Sequence, residues 1–193
     1  MVSDGELIGA VVRRAGKFLI EVLQVGNVFV TQGREWERYA WIKARALTGS
    51  RHDELFKIVR PFVFRKYLDY ATLDAMRGLH AEVRREVTRR DLAEHFKLGP
   101  GGIREIEFVA QALQLVRGGR DPQLTARPTL KVLSVLGEKR LLPADAVNEL
   151  SAAYVFLRNV EHRLQYLDDA QRHDLPEDDE DRSRLARMTG FAS

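Results

Sequence analysis

Hydrophobic and polar positions along the chain alternate mostly with helical spacing. From about Gln32 to Leu47, Trp36, Tyr39, Ala40, Lys43, Ala44 and Leu47 fall three and four apart, which predicts a helix facing a core with Trp36 and Tyr39. Gly49-Ser50 ends that run, and Asp53 is placed to cap a helix over Glu54 to Val59. Pro61 then opens another short helix carrying Phe62, Phe64, Tyr67 and Leu68. A longer helix is expected from Ala71 to Phe96, with Leu73, Met76, Leu79, Val83 and Val87 as its core stripe. Arg77 and Arg84 stand at the edge of that stripe, their guanidinium groups available to a carboxylate or phosphate, while Arg85, Arg89 and Arg90 read as a solvated face. Phe108 to Val116 is almost wholly apolar and is broken by Gly118-Gly119. A helix follows from about Thr129 to Lys139, and the longest runs from Ala144 to Leu167. Val147, Leu150, Tyr154, Leu157, Leu164 and Leu167 share one face of the latter, with Glu161 at its edge. The last helix stops near Gly190.

Two stretches depart from this spacing. At the start, Leu7 to Val12 and Phe18 to Val25 are apolar, and Val28-Phe29-Val30 reads as a short strand after a Gly26-Asn27 turn. In the middle lies Lys97-Leu98-Gly99-Pro100-Gly101-Gly102-Ile103-Arg104-Glu105-Ile106-Glu107-Phe108. Its glycines and proline let the backbone turn sharply or approach a ligand. If residues 103–107 are extended, Glu105 and Glu107 share a face and need a cation or an arginine between them. If the helix has already begun at Ile103, they stand roughly 200° apart on the helical wheel. Glu105 then falls among Phe108, Ala112 and Val116, an expensive place for an unpaired charge. Either geometry asks for a partner, and neutralisation by Arg104 and neighbouring arginines is the structural alternative to a ligand.

Composition narrows the function classes. There is no cysteine, hence no disulfide, thiolate metal site or cysteine nucleophile. No apolar run approaches membrane-spanning length and no signal peptide is visible, so a cytoplasmic protein is expected. The 31 Lys+Arg against 28 Asp+Glu give a net charge of only +3, and the charges interleave, which argues weakly for a polyanion partner. The five histidines are scattered without zinc spacing, His162 among them, and no Walker-type loop is present. The fold class expected is mainly α, with at most a little strand near the start and near Lys97 to Ile106.

Several motifs extend this picture: Gln32 to Ala40 with Ile42 to Arg45, Arg60 to Asp69, the glycine stretch Lys97 to Phe108, Phe156-Leu157-Arg158, Glu161 to Gln165, and Asp168-Asp169 with Gln171, His173 and Leu175-Pro176. Together they resemble the bacterial bifunctional glutamine synthetase adenylyltransferase/adenylyl-removing enzymes, from about Val30 to Gly190 and in the family's order. The Gly-Gly-Ile-Arg-Glu-Ile-Glu-Phe form is most similar to the N-terminal, deadenylylating half.

The resemblance implies a fold, a chemistry and partners. Residues 31–108 would be the end of a nucleotidyltransferase-like α/β domain and 109–193 a helical bundle, with 1–30 atypical. The family transfers AMP to and from a tyrosine of glutamine synthetase under control of the PII signal protein, using Mg²⁺ with ATP or ADP. Its cations are held by a Gly-Ser loop and an Asp-x-Asp pair, which should precede Gln32 here and do not; Gly49-Ser50 is a decoy. Glu105 and Glu107 are then the expected catalytic carboxylates, Glu107 the metal ligand, and Lys97, Gly101, Gly102 and Arg104 the nucleotide- and phosphate-facing residues. On this reading the chain is a fragment that works with a missing catalytic portion. The alternative is a catalytically silent helical docking or regulatory module, and an arginine-rich nucleic-acid binder stands behind both.

Overall fold

The computed structural model describes residues 34–47, 52–67, 70–89, 95–168, 175–176 and 178–191. The expectations for residues 1–30, for Gly49-Ser50 and for Asp169 to His173 lie outside the described residues. The described chain is mainly α: α1 Glu35–Ile42, α2 His52–Val63, α3 Tyr70–Arg89, α4 Ile103–Arg117, α5 Thr129–Glu138, α6 Ala144–Asp168 and α7 Asp179–Met188, with a 3₁₀ turn at Pro122–Thr125. No strand occurs among the described residues, so the expected extended segment near Lys97 to Ile106 is absent: residues 96–102 turn and the helix starts at Ile103. The boundary expected after Phe108 falls within α4. The chain divides into two compact units, one drawing on residues up to Leu79 and on Gln111–Arg127, the other on His80–Ala110 and the residues from Pro128 onward.

In the first unit, α1 is shorter than the spacing predicts and turns a different face inward. Glu37, Arg38, Trp41 and Ile42 are buried, whereas Leu47 is exposed. The Arg34 backbone N–H donates to Glu37 Oε2 at 2.8 Å, which holds the first turn. Arg38 can face inward because its guanidinium has an acceptor there: Nε and Nη2 donate to the Val63 carbonyl at 3.3 and 3.1 Å. Trp41 meets Phe56 of α2 edge to face, ring centres 6.2 Å apart. Helix α2 runs unbroken where two short helices were expected. Pro61 sits inside its last turn, and the carbonyl that loses a donor there belongs to Lys57, which faces solvent. Gln114, fully buried, donates from Nε2 to the carbonyls of Leu124 and Ala126, both at 2.7 Å, and so fixes the 3₁₀ turn.

In the second unit, α5 and α6 match the expected spans to within a residue. Val132, Leu133, Val135 and Leu136 of α5 are buried, and Gly137 lies against Val147 of α6. Each fully buried leucine contributes about 2 kcal/mol of transfer free energy. Val160 and Leu164 of α6 pack with Leu185 of α7 and with Phe96. Asp178 caps α7 by accepting from the Asp181 N–H at 3.1 Å.

Candidate functional site

The glycine stretch ends as a closed cap on α4. His95 is buried, and its Nδ1 lies 3.2 Å from the backbone nitrogens of both Lys97 and Leu98, which makes Nδ1 the unprotonated, accepting ring nitrogen. Gly99 N–H donates to the His95 carbonyl, Gly102 to Gly99, Ile103 to Phe96, Arg104 to Lys97 and Glu105 to Gly102. Gly101 N–H donates to Glu105 Oε2 at 3.0 Å. Pro100 has no N–H, so every backbone donor from Lys97 to Glu105 is engaged within the segment. In this conformation the loop offers no free amide to a phosphate. Both glycines have a local reason to be there. Gly101 has φ +74°, and a Cβ on Gly102 would stand 2.8–2.9 Å from the carbonyl oxygens of Gly99, Phe96 and Lys97.

The helical start resolves the geometry of the acidic pair. Glu105 and Glu107 lie on different sides of α4, and each has its own partners. Glu105 Oε1 accepts from Arg84 Nε at 3.0 Å and lies 3.5 Å from His80 Nε2, whose ring stacks on Phe108 with centres 4.6 Å apart. Partial burial pushes the Glu105 carboxyl up, but the Gly101 N–H and the Arg84 guanidinium outweigh it and hold the group below its ordinary range. Glu107 Oε2 meets Arg104 Nη1 at 3.4 Å, and its Oε1 accepts from the Tyr154 hydroxyl at 3.2 Å. Burial, together with the Glu107 charge and despite a hydrogen bond to Thr129, raises the Tyr154 hydroxyl above its usual value. Arg77, whose guanidinium like that of Arg84 was expected to be available to a carboxylate or phosphate, pairs with Asp74 at 3.3 Å.

Lys97 reaches the second acidic centre of this unit. Its Nζ lies 3.5 Å from Oε1 of Glu161, a side chain only 5% exposed, and Arg158 Nη1 donates to the other oxygen. The Arg158 guanidinium stands 6.0 Å from the Tyr154 ring centre. A run of alternating charge thus connects Arg104, Glu107, Tyr154, Arg158, Glu161 and Lys97. Sequence spacing placed Glu161 at the edge of the α6 apolar face but gave it no partner, and it missed His95 and Thr129. Only the acceptor geometry of the turn reveals His95.

The oxygens of Glu105 and Glu107 meet protein donors, arginines among them. Among the described residues no group of three or more His, Asp or Glu could hold a metal ion.

A family model described as GlnD PII-uridylyltransferase matches residues 76–193. The chain belongs to this family. It is 66% identical over 165 residues to the bifunctional glutamine synthetase adenylyltransferase/adenylyl-removing enzyme of Aromatoleum aromaticum, covering 86% of this chain and 18% of that protein. The proteins of the same name from Chromobacterium violaceum and Pseudomonas aeruginosa are 57% and 45% identical, over 92% and 93% of this chain and 20% and 18% of theirs. The chain therefore spans about a fifth of the length of these curated relatives. No helix among the described residues is long and apolar enough to cross a membrane.

Proposed function

We propose that this chain is a segment of a cytoplasmic enzyme that adds AMP to, and removes it from, a tyrosine of glutamine synthetase, and that it is most like the deadenylylating half. The observation that carries this reading is the 66% identity over 165 residues to a relative of that name. The glycine-stretch sequence supports the choice of half. Glutamine synthetase is then the protein substrate, the PII signal protein the regulator, and Mg²⁺ with ATP or ADP the ligands of the rest of the enzyme. Within it, this chain supplies helical support: a closed cap at Lys97 to Glu105 and a charge-paired face on α6.

One observation favours a silent module over a catalytic corner for the chain by itself. Glu105, Glu107 and Glu161 each lie against a protein cation. Calorimetric titration of the chain with Mg²⁺ and ADP is expected to give no binding heat, and the chain alone is expected to release no AMP from adenylylated glutamine synthetase. Metal-dependent nucleotide binding by the chain would overturn the silent reading and restore Glu107 as a ligand. In the enclosing enzyme, Glu107→Gln then distinguishes the roles: an anchor leaves AMP removal within about tenfold, a metal ligand loses it by orders of magnitude. If the enclosing enzyme neither adds nor removes AMP at glutamine synthetase, the parent reading itself falls.

A further inference from the structure

We propose that Glu161 is a positioning residue: through Lys97 it makes helix α6 hold the glycine loop in its closed form, as a latch that can open.

Three observations carry this. First, Glu161 is buried on a face whose neighbours Val160 and Leu164 are core residues. A buried carboxylate is weak evidence for stability, since an apolar side chain of similar size often serves as well; its better-attested use is to specify one arrangement. Second, Lys97 carries the charged side-chain contact from α6 into the loop backbone. Its N–H donates to His95 Nδ1, and its carbonyl accepts from Arg104 N–H in the first turn of α4. The preceding residue does the same on the apolar side: Phe96 packs against Val160 and Leu164, and its carbonyl accepts from Ile103 N–H. Helix α6 thus grips two successive loop residues, one by packing and one by charge, and both carbonyls hold the helix start. Third, Arg158 donates to the second oxygen of Glu161. When Lys97 leaves, the carboxylate keeps a charged partner and the ammonium, already a quarter exposed, reaches water. The contact can therefore break without stranding a bare buried charge, the condition for a reversible latch.

The proposal goes beyond the functional reading above and is testable on the chain itself, by amide hydrogen exchange resolved to single residues. Lys97→Met and Glu161→Gln are each expected to speed exchange at Gly102, Ile103 and Arg104 by about tenfold, while the amides of Val132 to Leu136 in α5 stay protected. The double variant is expected to match Glu161→Gln at these amides, because the Lys97–Glu161 contact is already lost in that single variant. Lys97→Arg, which restores a cation, is expected to return protection to within about threefold of the parent chain. Unchanged loop exchange in Glu161→Gln, equal acceleration in α5, effects that multiply in the double variant, or no rescue by Lys97→Arg would each overturn it. Should Glu161→Gln fail to fold, the Lys97 variants alone decide, since that side chain is partly exposed.

Discussion

The two units hold their loops by different chemistry. In the first, side chains donate to backbone carbonyls at the ends of elements: Arg38 to Val63, Gln114 to Leu124 and Ala126, Arg120 to Lys66, and Lys43 to Arg127. In the second, the glycine loop satisfies its own backbone and is tied down by ion pairs, Lys97 with Glu161 and Arg84 with Glu105. Breaking the Arg38 or Gln114 contact leaves a carbonyl stranded in the interior, whereas the Arg120 and Lys43 bonds lie at the surface. Breaking one of the second kind releases a lysine or arginine that is partly exposed and can hydrate, while the buried Glu161 keeps Arg158. The first arrangement fixes a structure, whereas the second allows it to change.

The largest expected effect tests that asymmetry directly. Arg38→Met and Gln114→Leu remove buried donors whose acceptors stay behind, at a cost of about 2–3 kcal/mol each in urea unfolding. Arg158→Met leaves Glu161 with Lys97 and removes a side chain that is 41% exposed, so about 1 kcal/mol or less is expected. Equal losses in the two units would erase the distinction.

The glycine loop offers a second comparison, of the two reasons for glycine. Alanine at Gly102 forces a Cβ against three carbonyl oxygens, and about 2 kcal/mol is expected. Alanine at Gly101 meets open space and costs only the left-handed backbone, about 1 kcal/mol. If the order reverses, the loop relaxes more readily than its closed hydrogen bonding implies.

How far the sequence reveals this depends on which interactions define each element. Helices α5 and α6 follow from apolar spacing after Pro128 and after Pro143, and their ends match what spacing predicts to within a residue. The inward face of α1 does not, because arginine at position 38 reads as surface until the Val63 carbonyl, 25 residues away, is in place. Pro61 reads as a helix start, yet α2 continues through it, and the affected carbonyl belongs to an exposed residue, Lys57. The start of α4 stays ambiguous in the pattern because it is set by Glu105 reaching back to Gly101. Glu161 is legible as an acidic residue at the edge of a core face, but Lys97 is not legible as its partner, since the pair depends on the turn closing.

The smallest expected effect is also the most specific to the ion-paired unit. The Glu105 carboxyl is held below its ordinary value in the folded chain, so below the ordinary value of 4.5 the unfolded chain takes up the proton first. Stability from this group is therefore present above that pH and is lost as the pH falls through the folded value. Arg84 is mostly exposed, so the contribution is below about 1 kcal/mol. Glu105→Gln should lower stability slightly at neutral pH and flatten the acid limb of the stability–pH curve. Arg38→Met should shift the whole curve down without changing that limb. If Arg38→Met also flattened the acid limb, or Glu105→Gln left it steep, the proton-sensitive contact would lie elsewhere than at the cap of α4.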